Sequence, residues 1–98
     1  MVPLRDVDWI EAEGNYARIW TGGRSHLLRE PLRALEARAR AHGFVRAHRR
    51  ALVRVDAVRE LTETRGRDVT AVLATGARIP VSRRRRRAFA SAIKARTD

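Results

Sequence analysis

With 98 residues the chain has room for one small domain, burying about 60 to 65% of its unfolded surface, and a second core is excluded. Lysine and arginine total 22 against 11 acidic residues, a formal net charge of +11, and so small a body repels itself at that charge unless a partner supplies the opposite sign, which puts nucleic acid first and an anionic membrane surface second. The lack of cysteine excludes disulfides, thiolate catalysis and cysteine zinc sites, and the lack of a long apolar run or an N-terminal apolar leader points to a cytoplasmic protein.

In chain order, Asp6 to Glu13 (DVDWIEAE) alternates Val7, Trp9 and Glu11 with Asp8, Ile10 and Ala12, the period of a strand. Gly14 breaks it. Asn15 to Thr21 (NYARIWT) is rich in aromatic and β-branched residues, and Gly22-Gly23 leads into Arg24 to Leu28 as a hairpin. The period then changes. Over Pro31 to Ala41, Leu32, Leu35 and Ala39 fall on one helical face, with proline at the first turn and Gly43 placed to end the helix. Glu30 is a poor cap, though its charge suits the N-terminal dipole.

Phe44 to His48 reads as a strand. Ala51 to Val55 is apolar at 51, 52, 53 and 55 and is expected to form a short helical or irregular buried turn. Val58 to Thr64 and Asp68 to Leu73 flank Arg65-Gly66-Arg67 as a second hairpin, and Thr75-Gly76 turns into Arg78 to Val81. Pro80 confines that strand to an edge, and Ser82 is expected to cap a closing helix running to Arg96, with Phe89, Ala92 and Ile93 on its apolar face. Trp9, Trp20, Phe44 and Phe89 read as core.

Two stretches carry candidate chemistry, Phe44 to Arg50 (FVRAHRR) and the run Arg83 to Arg87. Both set guanidinium groups at the end of a predicted strand, where backbone aims them. Five successive helical residues spread through 100° steps, so part of the run, Arg85 and Arg86 above all, is ordinary solvated charge. Cations in a first helical turn oppose the dipole by about 0.3 to 1 kcal/mol each, a cost that a phosphate at the same place reverses. Arg84 and Arg87 are assigned to phosphates on that ground.

In the first stretch, Arg49 is the candidate groove contact and Arg50 a phosphate contact. His48 serves equally as a packed residue that orients its neighbours. Arg46 alternates with them and reads equally as solvated. Asn15 can offer donor and acceptor to an adenine edge, with Tyr16 beside it, against the plain alternatives of a turn residue and a core ring. Arg18, Arg24 and His26 are lesser phosphate candidates.

The stretches Val7 to Trp20, Gly23 to Leu35, Phe44 to Val55 and Gly76 to Arg84 together resemble the LytTR domain, a DNA-binding output module of bacterial response regulators. The resemblance implies a mostly β fold, an elongated arrangement of short antiparallel sheets with one central helix and a C-terminal helix. Its loops and strand ends would enter successive grooves of double-stranded DNA. It implies base contacts at Asn15, at Arg49 after His48, and at Arg83. It also implies a monomer that pairs on repeated half-sites, with a receiver or sensor domain outside these residues. Arg50 and Arg54 stand where the family usually has serine and asparagine, and Pro31 where it usually has a serine cap.

Two other classes remain. A general RNA-binding or ribosome-associated module fits the charge but lacks an aromatic stacking set or a GXXG clamp. A metal-dependent nuclease would need Asp8, Glu11, Glu13 and His48 together, yet alternation sets Asp8 opposite Glu11 and no metal-ligand spacing recurs. No cofactor, metal or catalytic residue is expected.

Overall fold

The structure, a computed structural model, describes residues 2–97. The chain forms β1 (Trp9–Glu13), β2 (Tyr16–Thr21), β3 (Arg24–Leu28), α1 (Leu32–Arg40), β4 (Phe44–His48), β5 (Ala51–Arg54), β6 (Val58–Glu63), β7 (Val69–Leu73), β8 (Arg78–Val81) and α2 (Arg86–Thr97). Short 3-10 turns stand at Leu4–Asp6, Val55–Ala57 and Arg83–Arg85. A five-stranded sheet has the order β3-β2-β1-β5-β4, and a three-stranded sheet the order β6-β7-β8. Every pairing is antiparallel. The principal extents are 38 × 28 × 24 Å.

Side-chain alternation makes the five-stranded sheet the middle layer. Ile10, Ala17, Ile19, Phe44 and Leu52 point to one face and pack on Leu32, Leu35 and Ala39 of α1. Ala47, Ala51 and Val53 point to the other and meet Ala71, Leu73, Ile79, Val81 and Phe89. Burying each large apolar side chain contributes about 1.5 to 3 kcal/mol. Leu52, wholly buried on β5 between β1 and β4, would lose about 2 to 5 kcal/mol on truncation to alanine.

Ala51–Arg54 is therefore a strand, not the helical or irregular turn its sequence suggested; the 3-10 turn follows it. A strand covered on both faces is apolar at every position, and periodicity cannot separate it from a buried helix. The first strand begins at Trp9 because Leu4–Asp6 turns before it. Pro31 occupies the N-cap of α1 with no side-chain bond, and Glu30 pairs with Arg38 at 3.0 Å. Ser82 likewise makes no side-chain cap. The Ser82 carbonyl accepts from Arg85 N at 3.0 Å, and a 3-10 turn precedes α2. Pro80 does lie on an edge strand, β8. Phe44 and Phe89 are core, whereas Trp9 and Trp20 are half-buried and stack on each other across β1 and β2, with ring centroids 5.7 Å apart.

Candidate nucleic-acid interface

The order of strands collects the chain's turns at one end. The β1–β2 turn, Gly14-Asn15, uses Gly14 at φ +61°, a conformation that glycine adopts without strain at the first position of a tight hairpin. Because β5 runs antiparallel to β1 with Ala51 opposite Glu11, the β4–β5 turn, Arg49-Arg50, lies beside it. Ala12 N donates to the Arg50 carbonyl at 2.8 Å, and Arg50 Nη2 donates to the Ala12 carbonyl at 3.0 Å. The two turns are thus about 10 Å apart, two strand spacings.

A third member arrives from the other sheet. Ser82 N donates to the Ala47 carbonyl at 2.8 Å, which fastens the end of β8 to the outer edge of β4 and sets Arg83–Arg85 next to His48. Ala47 is the extra residue of a bulge between Arg46 and His48, a device that re-aims side chains near a strand's end. Asn15, Tyr16, Arg49, Arg50, Arg83, Arg84 and Arg87 are exposed. The strand order and the Ser82–Ala47 bond thus set the turns that carry Asn15, Arg49 and Arg83 in a row at one end.

The His48 ring is half-buried, and its Nδ1 accepts from Arg50 N at 3.2 Å. Burial, then the neighbouring Arg50, Arg46 and Arg85 charges, pushes its pKa below the usual histidine value, and Glu11 opposes them. The ring stays neutral at neutral pH and holds the turn that presents Arg49 and Arg50.

Several arginines turn inward instead. Arg46 donates to Glu36 of α1 at 2.6 Å and to the Arg49 carbonyl, so α1 braces the β4–β5 turn. Arg54 donates through Nε to the Val7 carbonyl at 2.8 Å and pairs with Asp8 at 3.3 Å. Arg18 is paired with Glu13 and donates to Ser25 at 2.8 Å. The Glu13 carboxyl is held below its usual range by that bond. Arg24 stands apart. It opposes Thr21 at the far end of β2, about 17 Å along the strand from Tyr16, and the structure does not bring it into the row. His26, on the same edge strand, is likewise outside it.

The carboxylates weighed for metal chemistry are spread out. Asp8 accepts from Gly22 N at 2.7 Å, Glu11 from Trp20 Nε1 at 3.2 Å, and Glu13 from Arg18. No helix among the described residues is long and apolar enough to cross a membrane.

Sequence reasoning missed Glu36 as the anchor of Arg46, and it missed Arg65 and Arg67. The β6–β7 turn that carries those two reaches the same end, where Arg83 Nη2 donates to the Gly66 carbonyl at 3.4 Å. The Arg-Gly-Arg turn signal was visible in the sequence; its place beside Arg83 was not.

Donors in planar forks, an amide with donor and acceptor, and a shallow basic end suit phosphates and base edges rather than a small enclosed substrate. The structure is similar to the LytTr DNA-binding domain of a protein described as a methyl-accepting/DNA response regulator from Bacillus cereus, with a TM-score of 0.82, 21% identity, and coverage of 94% of this chain and 84% of that one. No curated protein matches the sequence. The sequence model of the LytTr DNA-binding domain matches residues 1–94. The chain belongs to the LytTr DNA-binding domain family.

Proposed function

We propose that this domain binds double-stranded DNA sequence-specifically, as the output domain of a bacterial transcription regulator. Asn15, Arg49 and Arg83 read base edges, with Tyr16, Arg50, Arg84 and Arg87 on phosphates and His48 and Arg18 in support. The reading rests on one observation: three turns distant in sequence meet at one end through the bonds Ala12–Arg50 and Ser82–Ala47. Phosphate neutralisation then supplies most of the affinity and the three base contacts the selectivity. Arg83 is the best placed for guanine, whose O6 and N7 match the guanidinium fork. The domain is a monomer alone and pairs on repeated half-sites, under a receiver or sensor domain outside this chain, in the cytoplasm. It performs no catalysis.

Selection of bound sequences from a random duplex pool supplies the site. On that site Arg83→Ala lowers affinity by about 1 to 3 kcal/mol and relaxes preference at one position, whereas Arg84→Ala weakens all sequences alike. Equal loss for Arg83→Ala on selected and scrambled duplexes would falsify its assigned role. Displacement of the duplex by RNA at equal concentration would favour the RNA-binding alternative.

A further inference from the structure

We infer that the β6–β7 turn, Arg65-Gly66-Arg67, is an additional DNA-backbone clamp that extends the row beyond Arg83 and fixes the direction of the Arg83 guanidinium. The inference rests on the proposed reading of the basic end and adds a phosphate-binding element to it.

Four observations converge. The turn is exposed from Glu63 through Asp68, so both guanidinium groups are available to a partner. Its backbone is rigid: Thr64 N donates to the Asp68 carbonyl at 3.0 Å, Arg67 N to the Thr64 carbonyl at 2.8 Å, and Asp68 N to Thr64 Oγ1 at 3.2 Å. It is fastened to the start of the C-terminal helical segment at two points, Arg83 to the Gly66 carbonyl at 3.4 Å and Arg86 to the Arg67 carbonyl, with Arg86 also 3.8 Å from Glu63. Lastly, Arg67 has φ +65° and is the non-glycine residue in the left-handed region among the described residues.

The fourth observation separates binding from folding. A non-glycine residue is strained in the left-handed region, and glycine in the same place is not. Glycine would thus suit the backbone better at position 67, and an arginine there adds nothing to the turn's own bonding that glycine lacks. What the side chain adds is a cation at the outer flank of the row. With Arg65 two residues before it, the turn presents two donor forks to one strand of phosphates, and the Gly66 carbonyl between them holds Arg83 Nη2 and limits the fork's rotation. Arg86, spent on Arg67 and Glu63, is a fastener.

The test uses the whole chain on the selected duplex, with affinity followed from low to high salt. Removing a single cation from a phosphate lowers the salt slope by about 0.9. Arg65→Ala/Arg67→Ala is expected to flatten the slope by about 1.8, an affinity loss of about tenfold that is uniform across sequences. Arg67→Gly is the folding control. It is expected to melt at the same temperature as the parent or higher, and still lose about 0.9 of slope. An unchanged slope in both variants overturns the clamp. If Arg83→Ala then still relaxes base preference, the reading of the basic end survives without it; if Arg83→Ala also changes nothing, that reading falls as well.

Discussion

Replacing Glu36 by glutamine should loosen the DNA-facing end without touching it. The Glu36 carboxylate holds Arg46 at 2.6 Å and Arg40 at 2.8 Å, and Arg46 passes the constraint to the Arg49 carbonyl. The Arg46 and Glu36 side chains are 12% and 20% exposed, between a surface pair, worth about 0 to 1 kcal/mol, and a buried one, whose breakage costs about 3 to 5 kcal/mol. Partial solvent access places the loss at about 1 to 2 kcal/mol, a fall in Tm of roughly 4 to 16 °C for a domain of this size. The bond from Arg46, with Arg40 beside it, holds the Glu36 pKa below its usual value. A depressed carboxylate contributes stability that is fully present above the unfolded pKa of 4.5 and lost as pH falls through the lower folded value. Glu36→Gln should remove that acid dependence along with the stability. Thermal melts at pH 7 and pH 4 measure both, and titration with duplex DNA measures the turn: affinity should drop severalfold with the salt slope intact, because every cation that meets a phosphate is still present. An unchanged Tm together with a reduced slope would mean that Glu36 acts on DNA binding by some other route, and the bracing role would be refuted.

Other consequences are open to similar measurement. The lowered His48 pKa means that the unfolded chain takes up its proton first, so His48 contributes stability above pH 6.5 that is lost as pH falls through the lower folded value. Between pH 7.5 and 5.5, His48→Gln should therefore lose less Tm than the parent, and equal losses would exclude the effect. Arg54→Met, which removes the bonds to Val7 and Asp8, should cost about 1 to 3 kcal/mol in urea unfolding and leave the salt slope of DNA binding as it was. Arg24→Ala should leave both affinity and slope within error, since Arg24 lies at the opposite end of β2; a slope lower by about 0.9 would bring it back among the phosphate-binding residues.

The local signals of this fold were readable in advance. Gly22-Gly23, the helical spacing of Leu32, Leu35 and Ala39, and Pro80 each encode a short-range requirement, and the elements they mark, β2, β3, α1 and β8, lie within a residue of their expected places. What strand periods do not encode is neighbour order. That β5 lies between β1 and β4 decides that Arg49 and Asn15 share an end, and it follows from which apolar faces fit together across the middle sheet. The fate of each arginine was hidden for another reason. Arg46, Arg50 and Arg54 look alike along the chain, yet their long side chains reach carbonyls at Arg49, Ala12 and Val7, bonds set by the third dimension alone. Arg50 and Arg54, the departures from the family pattern, are both internal fasteners, though Arg50 is an exposed residue.

The paired indoles offer a practical handle. Trp9 and Trp20 are the chain's two tryptophans, stacked nearly parallel, with an angle of 2° between their rings, and they sit at the end of β1 and β2 remote from Asn15. Intrinsic emission should consequently track the opening of that hairpin while remaining almost blind to bound duplex. Fluorescence and a labelled-oligonucleotide signal recorded in one cuvette would then resolve unfolding from release.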